Sequence, residues 1–208
     1  MMTNTEEKLH QKNRPYFLES ESGVFFLDEH GIVERFEPSI DNPFKNERTE
    51  KGDIVTQRSI RSLIVPEGVR GFVSEFMRGV RVLERFELLN GLLSIGNNSF
   101  SIEDEQQCVF ANCILPSVVI PETVQEIGNF AFGGSHIECL QLPATLRSEY
   151  GRQFKDGYIG VLKMPVEWKS DVEKDKYGCL RLVGDLRSDR SFGFLRWPST
   201  HVERLVFY

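Results

Sequence analysis

The stretch VVIPETVQEIGNFAFGGSHIECLQLPATL, residues 118–146, contains the opening of one short pattern twice. An apolar residue, a variable residue and a second apolar residue precede Pro121, and the same triplet precedes Pro143. A third triplet precedes Pro165, so that the three prolines follow one another at intervals of 22 residues. A phenylalanine lies eleven residues before each proline, at Phe110, Phe132 and Phe154. Two residue types that keep the same interval indicate an internal repeat.

The repeat continues on both sides of this stretch with decreasing fidelity. Earlier units open at Leu63 and Phe86, and later units open at Leu180 and His201. One interval is longer than the others and takes up the acidic stretch SIEDEQQ, residues 101–107. We expect this insertion to bulge from one side of the array.

A period in the low twenties is typical of a solenoid, in which each unit is too small to bury its own apolar face. Stacked units share one continuous core. In each triplet the outer two residues are expected to point inward and the middle residue outward, because side chains alternate along a strand. The sequence holds 16 Phe beside 5 Tyr and 2 Trp, which fits a core filled by Phe in most units.

The best unit follows the pattern ΦxΦPxxVxxIGxxAFxxC, with Ile120-Pro121, Val124, Ile127-Gly128 and Ala131-Phe132 in place. This pattern resembles the bacterial surface-protein type of leucine-rich repeat, the BspA-like family, over about residues 60–166. The segment Phe110–Cys113 is similar to that family's Phe-x-x-Cys turn, whereas later units carry Ser135 and Gly157 at the cysteine position. The resemblance implies a leucine-rich-repeat solenoid of short parallel strands with irregular or short-helical convex segments.

Three parts of the chain are predicted. Residues 1–14 are expected to be a disordered tail, because they are polar and mixed in charge. Residues 15–58 are expected to form an N-terminal β-hairpin cap from residues 24–36, followed by a polar linker over residues 41–53. Residues 59–208 are assigned to the leucine-rich-repeat array. A cap is expected because an exposed terminal unit leaves apolar side chains and strand edges in water.

Composition argues against several classes of function. The net charge of −6 and the pI near 5.4 disfavour nucleic acid as a partner. No run approaches the about 20 apolar residues that span a bilayer. The N-terminal sequence lacks the features of a secretory signal, so a cytoplasmic location is expected. A chain whose export signal has been removed would look the same, which keeps an extracellular or cell-surface location open.

No catalytic, cofactor-binding or metal-binding residues are predicted. The four cysteines, Cys108, Cys113, Cys139 and Cys179, include no CxxC pair and are expected to be free thiols, with Cys108 the most reactive. His30 falls in the hairpin loop, whereas His136 and His201 occupy equivalent positions in two units and are expected to be structural. The three acids at 103–105 do not have the spacing of a calcium-binding loop.

The outward strand positions form the predicted partner-binding face. One predicted row runs along the middle residues of the triplets: Ile64, Glu87, Val119, Gln141, Lys163, Arg181 and Val206. The predicted partner-binding residues on this face are Glu87, Gln141, Lys163, Arg181 and Arg204. The cations among them favour an acidic partner, and ordinary solvated sheet residues are the alternative interpretation. Cys139 and Cys179 share the neighbouring predicted row with Val161 between them, which is too far for a disulfide.

The sequence thus favours a non-enzymatic scaffold that binds an unidentified protein or peptide. A secreted or cell-surface adhesin-like module is the first alternative, and an enzyme with an unrecognised site is the second. The strand pattern Leu205–Tyr208 has nothing after it, so we hypothesise weak homodimerisation through this edge.

Overall fold

The computed structural model describes residues 16–48, 54–96, 109–146, 152–174, 179–182 and 196–208. Within these ranges the chain forms strands β1 to β15 and one 3₁₀ helix, η1. Their bounds are β1 Tyr16–Ser20, β2 Gly23–Leu27, β3 Ile32–Pro38, β4 Lys45–Arg48, β5 Ile54–Val65, β6 Gly71–Phe72, β7 Val80–Leu88, β8 Ser94–Ile95, β9 Ile114–Val119, β10 Glu126–Ile127, β11 His136–Gln141, β12 Tyr158–Met164, η1 Val166–Asp171, β13 Val172–Lys174, β14 Cys179–Leu182 and β15 Arg196–Phe207.

The largest sheet has nine strands in the order β13-β14-β15-β12-β11-β9-β7-β5-β4. Neighbouring strands from β5 to β15 pair in parallel, whereas β4 at one end and β14 and β13 at the other pair antiparallel. A four-stranded sheet has the order β1-β2-β3-β6, and β8 pairs with β10. The predicted short parallel strands are therefore present, and the hairpin predicted for residues 24–36 corresponds to β2 and β3.

The 22-residue interval of the sequence is the register of the central strands. Gln141 pairs with Val119 on one side and with Lys163 on the other. The prolines Pro121, Pro143 and Pro165 follow these residues at the same distance along the chain, and all three are buried. The prediction that the prolines form one row is confirmed.

The phenylalanines form a column behind this sheet. The ring centroids of Phe110 and Phe132 are 5.3 Å apart, and those of Phe132 and Phe154 are 5.2 Å apart with an interplanar angle of 9°. All three rings are almost completely buried. Such ring pairs contribute about 0.5–1.5 kcal/mol each beyond the burial of their area. The column therefore fixes the stacking of successive coils as well as filling the core.

A second column joins three coils to the preceding ones through side-chain hydrogen bonds. Cys113 and Ser135 lie three residues beyond a core phenylalanine, and Thr200 precedes His201 as Gly157 precedes its pair Tyr158. Each donates to a carbonyl oxygen of the coil before. The bonds run from Cys113 Sγ to Met77 O (3.0 Å), from Ser135 Oγ to Phe110 O (2.6 Å) and from Thr200 Oγ1 to Phe154 O (2.6 Å). Serine and threonine at the family's cysteine position thus keep the same bond.

Gly157 occupies this position in the coil between those of Ser135 and Thr200. A Cβ atom there would lie 2.9 Å from Phe154 O and 3.0 Å from Ser135 O, so a side chain does not fit. The carbonyl oxygen of Phe132, which corresponds to the acceptors Phe110 O and Phe154 O, instead accepts the backbone N–H of Ser135 at 3.2 Å. The departure from cysteine at Gly157 is therefore explained by the close approach of two backbone segments.

In four coils, the residue that precedes the position of Cys113, Ser135 and Gly157 has a left-handed backbone. The positive φ angles are 73° at Gly79, 55° at Asn112, 66° at Gly134 and 60° at Asp156. Glycine, asparagine and aspartate are the residues that adopt this conformation most readily. The residue type at this position varies, but each residue found there has the left-handed backbone that the turn requires.

Replacing Gly134 tests that requirement. We expect Gly134→Ala to lower the free energy of unfolding by about 1–2 kcal/mol, because L-residues are strained at this φ. A Cβ would also lie 2.3 Å from Asn112 Oδ1. The matched change Asp156→Gly needs no new space and is expected to alter stability by less than about 0.5 kcal/mol. Urea unfolding measures both, and equal effects would contradict the shared left-handed turn.

Two buried polar side chains continue the edge of β5 beyond the end of β4. Asn42 Nδ2 donates to Ser62 O at 2.7 Å, and the Ser62 N–H donates to Asn42 Oδ1 at 3.0 Å. Ser22 Oγ accepts the N–H of Ile64 at 3.0 Å and lies 3.2 Å from Ile64 O, to which it donates. Asn42 Nδ2 also donates to Ser22 O, so the two side chains form one unit. They supply the hydrogen bonds that a further strand would make.

Asn42→Ala is expected to destabilise the protein by about 1–2 kcal/mol, because the N–H and C=O of half-buried Ser62 lose their partner. Asn46→Ala is the matched control, since Asn46 lies on β4 with an exposed side chain. Chemical unfolding of the two variants gives the comparison. If Asn42→Ala costs no more than Asn46→Ala, the side chain does not protect the edge of β5.

The strand near Leu180 differs from the sequence prediction. The sequence assigned Leu180–Val183 to a parallel unit between those of Lys163 and Val206, but β14 is antiparallel and pairs with the outer side of β15. β15 occupies the place beside β12, where Lys163 pairs with Val206. Consequently the prediction that Cys139 and Cys179 share a row is wrong, because Cys179 pairs with His201.

Two further predictions concern the segments between the elements. Part of the predicted linker, Lys45–Arg48, is a strand that pairs with β5, because the edge of β5 needs a partner. The predicted tail over residues 1–14, the acidic insertion over residues 101–107 and Cys108 lie outside the described residues.

Candidate functional site

The candidate site is the outward surface of the parallel strands, which we call the open face. Its central part consists of three rows across β9, β11, β12 and β15. The rows are Ile114, His136, Tyr158 and His201; Ser117, Cys139, Val161 and Arg204; and Val119, Gln141, Lys163 and Val206. All of these side chains are exposed or half-buried, whereas Leu140 and Leu162, between the second and third rows, are buried. Between the first and second rows each strand has one buried residue, such as Ile137, and one that is exposed or half-buried, such as Glu138. The alternation follows from the pleat of the strand.

Four of the five predicted partner-binding residues lie on this face. Gln141 and Lys163 are paired neighbours, and Arg204 belongs to the adjacent row beside Val161. Glu87 lies further along the sheet, on β7, where it pairs with Ile64. Arg181 does not join them: its strand is antiparallel, and its backbone pairs with Arg196. The sequence step of the outer units was too irregular to reveal this difference.

At the β5–β7 end of the open face the charged side chains are paired with one another. Arg85 is bonded to Glu87 Oε1 and lies 2.9 Å from Glu21 Oε2, and Arg61 lies 4.0 Å from Glu84. Hydrogen bonds to Glu87 and then to Glu21 raise the pKa of Arg85 above its usual value. This end of the face therefore offers a partner few uncompensated charges.

At the β12–β15 end the cations have a different setting. Neither Lys163 nor Arg204 has a carboxylate within ion-pair distance in the described part of the chain. Lys163 is half-buried beside Gln141 and Val206, and Arg204 is exposed beside Val161. These two cations, without an ion pair among the described residues, are available to an anionic group of a partner.

A row of stacked rings lies next to the row of Arg204, and Lys163 lies one row further on. The ring of Tyr158 lies between two imidazoles, with centroid distances of 4.5 Å to His136 and 5.3 Å to His201 and interplanar angles of 25° and 17°. The Tyr158 hydroxyl donates to Glu203 Oε2 at 2.5 Å, and this bond, together with desolvation, raises the pKa of Tyr158. The sequence identified His136 and His201 as equivalent positions but gave no sign that Tyr158 completes the row.

The third histidine identified in the sequence, His30, lies in the turn between β2 and β3. Its backbone N–H donates to Asp28 Oδ1 at 2.8 Å, and its side chain is exposed. No group of three or more histidine, cysteine, aspartate or glutamate residues is placed to hold a metal ion within the described ranges.

The two cysteines whose side chains are described differ in exposure. Cys113 is buried, as predicted for a turn position, and burial raises the pKa of its thiol to about 12. Cys139 is half-buried in the middle row of the open face, between Ser117 and Val161. Both are free thiols.

Comparison with known protein families gives one match, which covers part of the chain. Residues 101–170 match the family model described as the BspA type leucine rich repeat region, in six copies. The predicted resemblance is confirmed for this segment. The matched residues include β9, β11 and β12, and thus the centre of the open face.

No curated protein and no solved structure matches the chain. Leucine-rich repeats of this type form a binding architecture that is generally non-enzymatic, so the match supports a role in protein interaction. None of the helical segments in the described ranges has both the length and the apolar character needed to cross a membrane.

The thiols give a direct test of the site geometry. At pH 8 we expect iodoacetamide to alkylate Cys139 and to leave Cys113 unmodified in the native protein. A pKa of about 12 lowers the thiolate fraction of Cys113 about a thousandfold relative to the ordinary value of 9.0. Mass spectrometry of tryptic peptides measures both sites, with urea-unfolded protein as the control in which both react. Equal labelling of the native thiols would contradict the burial of Cys113.

Proposed function

We propose that this chain is a non-enzymatic scaffold that binds a protein or peptide across the open face. The observation that carries the proposal is the in-register stacking of β9, β11, β12 and β15, which presents three continuous rows of outward side chains. The match to BspA type leucine-rich repeats supports the same role. Rows on a rigid sheet suit binding because a partner meets side chains that are already ordered.

The proposal includes the architecture that holds the face. We infer that the array is a leucine-rich-repeat solenoid and that the N-terminal hairpin unit is its cap. The common interval of 22 residues and the stacked Phe110, Phe132 and Phe154 support the solenoid. The bonds from Ser22 and Asn42 to the edge of β5 support the cap.

Within the face, the partner-binding residues are Gln141, Lys163 and Arg204, with Glu87 at the margin. Lys163 and Arg204 have no ion pair among the described residues, whereas Glu87 is bonded to Arg85. The homodimer predicted from Leu205–Tyr208 stays a prediction: β15 pairs with β12 there, and Leu205 and Phe207 are only partly buried.

Site-specific photo-crosslinking tests the proposed face. A photoreactive amino acid at Gln141 or at Val161 is expected to give a discrete adduct in an extract of the source cells. The same amino acid at Glu126, which is exposed on β10 away from the nine-stranded sheet, serves as the control and is expected to give none. Adducts from Glu126 alone would contradict the assignment of the binding surface.

Charge reversal gives the matched pair of variants. Lys163→Glu with Arg204→Glu is expected to reduce the Gln141 adduct about tenfold, because both cations then repel an acidic partner. Arg152→Glu with Lys169→Glu makes the same change of net charge at exposed positions outside the rows. An equal loss in both double variants would mean that overall charge, and not the open face, governs binding.

A further inference from the structure

Strand β1 lies at one edge of the four-stranded sheet, and within the described residues it pairs with β2 alone. Its sequence is YFLES, and the side chains of Tyr16 and Phe17 are 55% and 52% exposed. The other side of the strand presents backbone N–H and C=O groups to which a further strand can bond. An exposed edge with apolar side chains is a surface on which another chain can pair.

Every other strand at the end of a sheet in the described ranges is short or charged. Strands β6, β8, β10 and β13 have two or three residues each. Strand β4 reads KNER, and its register with β5 is interrupted. Short length, lysine, proline and register shifts keep edges from pairing with other chains. Strand β1 has five residues in one unbroken register with β2, and it contains neither lysine nor proline.

The two sides of β1 differ in chemistry. On the inner side of the sheet, Leu18 packs against the hydrophobic core, and Tyr16 lies on the same side of the strand. On the outer side, Phe17 lies beside Phe26, with the ring centroids 6.4 Å apart, and Glu19 is exposed. Side chains of an added strand would alternate between these two sides, with their Cβ atoms about 5 Å from those of β1.

The N-terminal part of the chain around β1 carries most of the negative charge. Residues 16–46 contain seven carboxylates and two cations, which gives −5 of the net charge of −6. Arg35 is paired with Glu37. Neither Glu19 nor Glu34 has a cation within ion-pair distance in the part of the chain that the structure describes. A basic segment therefore complements this edge in charge.

We propose that β1 binds an extended basic segment of a partner protein as a further strand of the four-stranded sheet. Lysine or arginine at alternate positions of that segment lies on the outer side, where Glu19 and the ring of Phe17 attract the cation. Apolar residues between them cover Tyr16 and Leu18 on the inner side. Backbone hydrogen bonds along β1 add affinity, as in other cases of strand addition to a sheet edge. This edge belongs to a different sheet from the open face.

Fluorescence anisotropy of a labelled heptapeptide of alternating lysine and valine, mixed with the full chain at low salt, tests the proposal. We expect saturable binding. A heptapeptide of alternating lysine and proline has the same charge but lacks half of the backbone N–H groups, and it is expected to bind about fivefold more weakly. A peptide of alternating glutamate and valine is expected not to bind, because the carboxylates around β1 repel it. Equal binding of the two lysine peptides would overturn strand addition, since charge alone would explain it.

Phe17→Lys and Ile40→Lys form a matched pair of variants. Each replaces an exposed apolar residue with a cation, but Ile40 is 93% exposed and lies between β3 and β4, outside the strands. Phe17→Lys is expected to weaken binding of the lysine–valine peptide about fivefold, because it places a like charge beside the added strand and removes an apolar contact. Ile40→Lys is expected to weaken it by less than about twofold, since exposed charges away from the contact are screened. An equal loss in both variants would overturn the assignment to β1.

Hydrogen exchange measured by mass spectrometry identifies the strand that the peptide contacts. Saturation with the lysine–valine peptide is expected to slow exchange in the segment that contains β1 and to leave β9, β11 and β12 unchanged. Slower exchange in those strands, with none in β1, would overturn the proposal. Sedimentation of the full chain without peptide is expected to show no dimer that depends on Phe17. A dimer that Phe17→Lys abolishes would assign this edge to a second copy of the chain and would overturn the basic partner.

Discussion

Parallel pairing of β9, β11 and β12 at a step of 22 residues is the constraint on which the rest of this structure depends. With that step, each residue lies against its equivalent in the next coil, as Gln141 lies between Val119 and Lys163. The core then needs one large side chain per coil, and the stacked phenylalanines supply it. Four turns have one left-handed residue, and Cys113, Ser135 and Thr200 each donate a side-chain hydrogen bond to the preceding coil, whereas Gly157 has no side chain to do so.

The parallel part of the sheet has two ends, and different elements cover them. At the β5 end, β4 covers the first half of the strand, and the side chains of Asn42 and Ser22 bond the second half. Side chains serve here in place of a strand because they satisfy the backbone without offering a new edge. At the other end, β14 turns antiparallel against β15, which interrupts the parallel order.

The two ends of the open face differ in ion pairing, and this difference links the fold to the proposed function. Arg85 is bonded to Glu87 and reaches Glu21 in the turn between β1 and β2, so the N-terminal unit neutralises its end of the face. The far end keeps Lys163 and Arg204 available beside the stacked rings of His136, Tyr158 and His201. The proposed acidic partner is therefore expected to bind at the centre and the β15 end of the sheet.

The sequence by itself determined the repeat, the row of prolines, the phenylalanine column and the outward rows of the central coils, because these follow from a constant step and from the alternation of side chains along a strand. It placed Gln141, Lys163 and Arg204 on one face for the same reason. Only the tertiary structure decided the direction of β14, the place of β15 beside β12 and the closing of β5 by Asn42 and Ser22. Those features join residues far apart in the chain without a repeated interval, so no local pattern records them. The stacking of Tyr158 between two imidazoles belongs to this second group, since the register of three separate strands creates it.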